Sequence, residues 1–202
     1  MRRHATWVIA GLLTSLAPRL GAQATGMPSF NAPYRAFQRS EFGVLADFPN
    51  GAGTAFEGVY RYAVSNFDVG FRAGMWDPGA CCKTELLLGA EARERVITHT
   101  VDFPLDGALV FGLGGAFVSG GSVAFIPVGL SLGRRVEPRR SSLSIVPYVQ
   151  PTATLVAGSG NSTLDFTLGL GADFRFGRTL DARLSAGVGD LDGVSLGVVW
   201  VH

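Results

Sequence analysis

Three groups of residues have side chains that could support catalysis, metal binding or phosphate binding. His99 lies near Glu94, but no nucleophile motif or matching acid accompanies it at a spacing typical of a catalytic site. Asp190 and Asp192 supply too few oxygen ligands for a calcium loop. Gly-x-Gly patterns occur inside alternating segments with no helix after them, so they do not indicate a phosphate loop. The sequence therefore predicts no enzyme, no cofactor and no metal site.

Cys81 and Cys82 are adjacent and are the only cysteines of the chain. Two thiols are too few for a zinc site. In an oxidising compartment they could form a vicinal disulfide, which is uncommon because it closes a strained ring. We expect either a disulfide that staples a loop or an ordinary pair of thiols, and no redox role.

Ionic groups are the most informative candidates. Charged residues of both signs recur at alternate positions, which places them on one face of β-strands because strand side chains alternate with a period of two. An isolated buried charge is very costly, so a buried face of this kind must pair its charges. We expect a salt-bridged network formed by Glu57, Arg61, Asp68, Arg72, Glu91, Arg93, Asp165, Asp173, Arg175 and Arg183.

Short alternating segments position these charges. Glycine (28 residues) and phenylalanine (14) are abundant, and charged residues make up only 16% of the chain. No apolar run after the amino-terminal stretch is long enough to span a membrane as a helix. The rest of the chain divides into ten alternating segments separated by turns. This pattern predicts an all-β fold, a closed up-and-down antiparallel transmembrane β-barrel of ten strands, with eight strands as the alternative.

Two short turns predict the pairing of the strands beside them. A two-residue Ser-Asn turn places Tyr60 opposite Phe71 on the apolar face. A later three-residue Gly-Arg-Thr loop places Asp173 opposite Arg183 on the charged face. A slip of one residue would exchange the two faces, so we expect these registers to be strongly fixed.

Three prolines interrupt the predicted strands. Pro127, Pro147 and Pro151 lie within alternating segments. Because proline donates no backbone hydrogen bond, it is unfavourable inside a closed ladder. We expect bulges or interrupted pairing at these positions.

The chemistry of the two faces distinguishes a membrane barrel from a soluble one. A membrane barrel turns its apolar face outward, whereas a soluble barrel encloses it. The charged face here also carries many glycines, and the apolar face carries aromatic residues near the strand ends, as in an interfacial girdle. Lys83 is the only lysine, whereas a soluble barrel normally has more lysine on its surface. We therefore expect the apolar face to point outward.

The final stretch, residues 194–202, reads V-S-L-G-V-V-W-V-H. Its polar position is Ser195, its glycine position is Gly197, and its two aromatic positions are Trp200 and His202. In this arrangement the stretch resembles the closing strand of bacterial outer-membrane β-barrels. The resemblance implies that these residues form the signal read by the barrel-assembly machinery. His202 departs from the family, which usually ends in Phe. We also expect Val194 to pair with the outward residue Val188 of the preceding strand.

The amino terminus is typical of a secretory signal peptide. A positive region around Arg2 and Arg3 precedes an apolar run that is too short to span a bilayer. Ala22-Gln23-Ala24 then forms a small-x-small cleavage site. We therefore divide the chain into a signal peptide at 1–24, a periplasmic lead-in segment at 25–40 and an outer-membrane β-barrel at 41–202.

Composition and resemblance together imply a location and leave the activity open. The 17 basic and 16 acidic residues are nearly balanced, and no basic patch indicates nucleic acid. The resemblance implies the bacterial outer membrane, contact with its lipid, and partnership with the assembly machinery and periplasmic chaperones during biogenesis. We expect a non-catalytic structural or surface protein with a polar, salt-bridged, mostly closed lumen. The alternatives are a narrow channel for small solutes, a lipid-modifying enzyme that uses His99, and a soluble secreted ligand-binding barrel.

Overall fold

The alternating segments form ten β-strands in the structure, a computed structural model of the chain. It describes residues 23–33, 39–50, 53–79, 83–118, 120–138, 143–158 and 160–202. The strands are β1 (Glu41–Pro49), β2 (Thr54–Val64), β3 (Phe67–Asp77), β4 (Glu85–Ile97), β5 (Asp106–Val118), β6 (Gly121–Gly133), β7 (Leu143–Gly158), β8 (Asn161–Phe176), β9 (Leu180–Gly189) and β10 (Gly193–Val201).

Neighbouring strands pair antiparallel in chain order, and β10 completes the ring by pairing with β1. The fold is therefore all-β, and the predicted closed up-and-down barrel of ten strands is confirmed. The eight-stranded alternative is wrong. Closure pairs every strand on both sides and leaves no free sheet edge. Among the described residues, no helix is long and apolar enough to cross a membrane.

The even number of strands gives the barrel two distinct rims. β1 begins and β10 ends at the same rim, which we call the terminal rim. The β2–β3, β4–β5, β6–β7 and β8–β9 turns also lie at the terminal rim, because consecutive strands run in opposite directions. The other five turns lie at the opposite rim, which we call the far rim.

The short turns produce the strand registers that the sequence predicts. Tyr60 pairs with Phe71 across β2 and β3. Asp173 pairs with Arg183 across β8 and β9. Ser65, in the two-residue turn, has a φ of 52°, a left-handed conformation of the kind that tight hairpins use.

The register predicted for the last hairpin is wrong by two residues. Val194 pairs with Ala186 and not with Val188. The unpaired connection comprises residues 188–192 and not 189–193, and Leu191 within it turns into the barrel, where it is 1% exposed. Its amide donates a hydrogen bond of 3.2 Å to Thr167 Oγ1. A shift of two residues preserves the inward and outward faces, so the alternation argument still holds.

The prolines affect the ladders as expected at two of the three positions. The β5–β6 pairing is interrupted around Pro127, and the β6–β7 pairing is interrupted around Pro151. Pro147 lies near the terminal rim and keeps its register with β8. A separate register shift lies between Arg95 and Ile97 on β4.

The outward face of the barrel is almost entirely apolar. All ten strands contribute large exposed apolar side chains; Phe56, Met75 and Leu113 are each more than 60% exposed. In the strands described, only two charged residues point outward, Asp77 and Glu94, and both lie toward a strand end. The wall between the two rims therefore presents a continuous apolar belt.

Residues 23–33, which we call the lumen segment, lie inside the barrel and are buried along their whole length. The structure thus corrects the predicted periplasmic lead-in for residues 25–33. Residues 34–38 of that predicted segment lie outside the described residues. The physical reason is that a chain of mostly small, polar and proline residues without periodicity can fit a lumen lined by glycine. Its backbone groups can then bond to polar side chains of the wall, as buried backbone groups require.

Candidate functional site

The lumen contains a connected network of buried charges centred on Arg61. Its guanidinium contacts three carboxylates from three other strands. Arg61 Nη1 lies 2.6 Å from Asp68 Oδ1, and Arg61 Nε lies 3.2 Å from Glu41 Oε1. Arg61 Nη2 pairs with Glu91 Oε1. All four side chains are nearly inaccessible to solvent, so each carboxylate helps to compensate the desolvated guanidinium.

Three further arginines extend this network. Arg93 forms a fork with Asp68, with Nη2–Oδ2 at 2.8 Å and Nε 3.1 Å from both oxygens. Paired donors of this kind match the geometry of a carboxylate. Arg183 Nη2 lies 2.7 Å from Glu41 Oε2. The remaining contacts are Arg183 Nε to Asp173 Oδ2 at 3.3 Å, Arg72 Nη1 to Glu57 Oε2 at 3.4 Å and Arg72 Nη2 to Glu91 Oε1 at 3.6 Å.

The other predicted network residues lie on the same inner face. Arg175 and Asp181 form a bidentate pair at the terminal rim, with distances of 2.6 and 2.7 Å. Asp165 is buried on β8 in register with Thr154 and takes part in other contacts. All ten charged residues that the sequence assigned to the lumen therefore point inward.

Glycines make room for these long side chains. Arg61 on β2 reaches Glu91 on β4 by passing over Gly70 on the intervening strand. A β-carbon at Gly70 would lie 3.2 Å from Arg61 Cζ and 3.2 Å from Glu91 Cγ. Contacts that short would push the pair apart. The glycines of the charged face thus let ion pairs form between strands that are not neighbours.

Charged side chains bind one side of the lumen segment. Arg72 Nη2 donates to the Ser29 carbonyl over 2.9 Å, and Arg72 Nη1 bonds to Ser29 Oγ. Asn31 Nδ2 donates to Glu91 Oε1 over 3.1 Å. Arg183 Nη1 donates to Asn31 Oδ1 over 3.3 Å. These contacts connect the segment to the network and give the buried polar groups of Ser29 and Asn31 partners.

Neutral side chains bind the other side of the lumen segment. Tyr148 donates its hydroxyl proton to the Phe30 carbonyl over 2.9 Å, and Ser131 donates to the Asn31 carbonyl over 2.7 Å. The Phe30 ring lies directly over Gly169, where any larger residue would clash with it. Apolar packing completes this side; the buried cluster comprises Met27, Phe30, Ala32, Ala55, Trp76, Leu87, Ala116, Phe125, Val146, Tyr148 and Leu191.

Little free volume remains around the network. A cavity lined by Asn31, Glu41, Arg61, Glu91 and Arg183, among others, has a volume of about 10 Å³. That is about the space that one water molecule needs. The side chains and the lumen segment together therefore fill this part of the barrel.

Sequence reasoning missed two members of the network as site residues, Glu41 and Asp181. Alternation along β1 places Glu41 on the inner face, but its partners Arg61 and Arg183 lie on strands that no tight turn connects to β1. The Gly-Arg-Thr loop that pairs Asp173 with Arg183 also places Asp181 opposite Arg175, so this pair could have been predicted. The lumen segment itself had no detectable signal, because its contacts join a non-periodic stretch to residues far along the chain.

His99 has an acidic partner that the sequence did not reveal. His99 Nδ1 lies 3.0 Å from both carboxylate oxygens of Asp106, and the His99 amide donates to Asp106 Oδ1 over 3.1 Å. The two contacts fold the β4–β5 turn back onto the first residue of β5. We interpret these contacts as a structural clasp, which holds the β4–β5 turn in place at the terminal rim.

The residues of the terminal strand are divided between the two faces. Ser195 and Gly197 face inward, and Trp200 faces outward. Trp200 stacks on Phe42 with ring centroids 5.7 Å apart. The His202 ring lies 6.1 Å from the Phe42 ring, and its amide donates to Ser40 O over 3.0 Å. His202 thus occupies an aromatic position beside the seam, which is the β1–β10 pairing that closes the barrel.

Cys81 and Cys82 lie outside the described residues. Within the part of the chain that the structure describes, no group of three or more His, Cys, Asp or Glu side chains could hold a metal ion.

Comparison with known proteins identifies no family. No protein-family model matches the chain, and no curated protein matches it. A de novo designed transmembrane β-barrel is similar with a TM-score of 0.40 and 18% identity, covering 86% of this chain and 100% of that chain. The β domain of the Bordetella autotransporter BrkA is similar with a TM-score of 0.46 and 14% identity, covering 80% and 82%. At these values neither likeness indicates a function.

Proposed function

We propose that this chain is an integral outer-membrane β-barrel with a structural or surface role, whose lumen is closed by its own lumen segment. The observation that carries the proposal is the separation of chemistry between the two faces of one wall. Outside, all ten strands present apolar side chains. Inside, charged side chains are buried, and arginines pair with carboxylates across the lumen. This is the inside-out arrangement expected of a barrel in lipid.

Two further features support insertion into a bilayer. The strands are 9 to 16 residues long, and a membrane strand needs about 9–11 residues when tilted. Phe42, Tyr60, Trp200 and His202 form an outward aromatic group at the terminal rim. Aromatic side chains of this kind favour the membrane–water interface. The apolar belt between the rims is too extensive for a protein surrounded by water.

The filled lumen favours a closed barrel over a channel. The lumen segment is bound on both sides, and the cavity beside it is about 10 Å³. A hydrated ion needs a continuous polar path, which the packed segment interrupts. Planar-bilayer recording tests this property. We expect no steady conductance from the mature chain and steady steps from a variant that lacks residues 26–33.

A matched control separates loss of the plug from general damage. Deletion of 101–103, an exposed part of the β4–β5 turn, removes residues without touching the lumen. We expect this control to insert and to remain closed. Steady conductance of the unmodified mature chain would contradict closure and would favour the narrow-channel alternative. Solubility of the mature chain without detergent would contradict the membrane proposal itself.

The absence of catalysis remains part of the proposal. The His99–Asp106 pair is the arrangement that a lipid-modifying enzyme would most readily use, because a carboxylate can orient an imidazole. The clasp interpretation predicts that His99→Ala leaves any lipid turnover by the purified protein at background. Turnover that His99→Ala abolishes would favour the enzyme. Assembly through the terminal strand is likewise proposed, on the basis of its resemblance to closing strands.

A further inference from the structure

The charged network leaves the carboxyl group of Asp47 without a partner. Asp47 lies on the inner face of β1 and is fully buried, yet neither of its carboxyl oxygens has a hydrogen-bond partner within the described part of the chain. Nine carboxyl groups but only five guanidinium groups are buried among the described residues. Because an isolated buried charge is very costly, the surplus carboxyl groups need a further cation or a proton.

Glu57 lies beside Asp47 and has an unbonded oxygen of its own. Asp47 is in register with Ala55 on β2, and Glu57 follows two residues later on the same inner face. The two carboxyl groups are therefore diagonal neighbours, within reach of each other. Glu57 is buried, and its Oε1 has no hydrogen-bond partner in the described structure. Three of the four oxygens of this pair are thus buried and unbonded.

The surroundings of the pair provide one positive charge, which is already engaged. Arg72 on β3 has Nη1 3.4 Å from Glu57 Oε2, and its Nη2 donates to the Ser29 carbonyl over 2.9 Å. The other facing groups are neutral: Ser195 of β10 is in register with Asp47, and Ser29 belongs to the lumen segment. At Asp47 the repulsion from Glu57 exceeds the attraction to Arg72. A second negative charge in this place is therefore unfavourable.

We propose that Asp47 and Glu57 form a proton-binding site, in which the two carboxyl groups share one proton at neutral pH. The neutral carboxyl group of Asp47 donates a hydrogen bond to Glu57 Oε1, which gives this acceptor the donor that it otherwise lacks. Two carboxyl groups in one buried site retain a proton, because like charges so close together cannot both ionise. The proton belongs to the pair, and Arg72 offsets the one remaining negative charge.

The shared proton also protects the attachment of the lumen segment. Glu57 Oε2 accepts a hydrogen bond from the Ser29 hydroxyl over 3.3 Å, and Arg72 donates to the Ser29 carbonyl. Loss of the proton would place a second negative charge beside Arg72 and draw its guanidinium away from Ser29. The stability of the closed lumen therefore depends on pH. This consequence rests on the closed lumen of the proposed function, whereas the shared proton does not.

Infrared spectroscopy of the folded barrel in detergent micelles at neutral pH tests for the proton. A neutral carboxylic acid has a carbonyl stretching band that a carboxylate lacks. We expect this band in the wild-type protein and its loss in Asp47→Asn, which keeps the shape of the side chain and an N–H donor for Glu57. The matched control is Asp102→Asn in the exposed β4–β5 turn, which should keep the band.

Identical carboxylic-acid bands in the wild type and in Asp47→Asn would overturn the inference. Loss of stability on adding a chelator, with no such band in the wild type, would overturn it in favour of a metal cation. A barrel that shows the band but is soluble without detergent would contradict the proposed membrane location and leave the proton site intact.

Unfolding at several pH values gives a second measurement. Both carboxyl groups ionise in the unfolded chain at neutral pH, so the unfolded state binds fewer protons and stability falls as the pH rises. For one proton, the unfolding equilibrium constant should rise by up to about tenfold per pH unit above neutral pH. We expect Asp47→Asn to lack this contribution and Asp102→Asn to retain it. Equal pH dependence in the wild type and in Asp47→Asn would overturn the inference.

Discussion

The two sides of the lumen use different chemistry to hold the same segment. Strands β8 and β9 and strands β1 to β4 provide the charged side, on which arginines and carboxylates pair across the barrel. Strands β5 to β7 provide the neutral side, where Asp106 at the terminal rim is the one inward charged residue. There, Ser131, Tyr148 and apolar side chains contact the segment. The charged side is therefore stabilised by ion pairs between its own strands, whereas the stability of the neutral side depends on packing against the lumen segment.

The largest effect should come from breaking the centre of the charged side. Arg61→Leu leaves Glu41, Asp68 and Glu91 without a shared partner in a buried site. Breaking a buried ion pair by removing one partner costs about 3–5 kcal/mol. We expect the free energy of unfolding to fall by about that amount in denaturant titrations in detergent micelles.

The control for this change is Arg178→Leu. Arg178 lies in the exposed β8–β9 turn, so its loss should change the unfolding free energy by less than about 0.5 kcal/mol. If the two substitutions had equal effects, the network would contribute nothing particular to stability.

The neutral side should respond to loss of volume rather than loss of charge. Phe125→Ala removes a fully buried ring that covers Gly26 of the lumen segment. Substitutions of this kind cost about 3 kcal/mol or more when the cavity does not collapse. We expect a loss of about 3 kcal/mol in the same titration.

We expect the stability lost in Phe125→Ala to depend on the contact between the Phe125 ring and the lumen segment. In a variant lacking residues 26–33, Phe125→Ala should have a much smaller effect because the ring has lost its contact. An unchanged effect would show that the neutral side is stable without the segment.

A smaller effect is expected for the coupling between Asp173 and Arg183. Their atoms are 3.3 Å apart, but Arg183 also pairs with Glu41 at 2.7 Å. Asp173→Leu should therefore destabilise the barrel only in part by leaving Arg183 short of a partner, and Arg183→Leu should partly compensate. We expect a coupling of about 1 kcal/mol in a double-mutant cycle. Additive single effects would rule out this pairing.

The smallest effect is expected outside the lumen, at the seam. His202 occupies an aromatic place beside Phe42 and Tyr60, and the resembling closing strands usually end in Phe. His202→Phe should keep these ring contacts and leave assembly into the outer membrane unchanged or improved. The measurement is the fraction of folded barrel in purified membranes. Loss of assembly would show a specific role for the imidazole.

The two sides also differ in how far the sequence predicts them. Charged residues on adjacent strands, such as Asp173 and Arg183, could be placed opposite each other because a short turn fixes their register. Alternation also predicts which residues face inward. The bonds of Arg183 to Glu41 could not be predicted, since β10 separates their strands and no short turn relates them. Local pattern therefore predicts neighbouring pairs but not pairs across the barrel.

The neutral side has an explanation only once the lumen segment is in place. Val146, Tyr148 and Phe125 are unusual inward residues for a polar lumen, and no periodicity connects them to residues 23–33. The burial of Leu191, and with it the register of the last hairpin, could not be predicted for the same reason. This burial depends on the apolar interior. Such contacts are long in sequence separation and carry no local signal.

The most direct test of the account is whether the lumen segment occupies the barrel in the folded protein. In nuclear magnetic resonance spectra of the mature chain in detergent micelles, the account predicts cross-relaxation between the Phe30 ring protons and the α-protons of Gly169. It also predicts slow hydrogen exchange at the Phe30 amide, which bonds to Ser185 Oγ over 3.2 Å. Sharp, rapidly exchanging signals from residues 26–33, without contacts to the wall, would contradict the account.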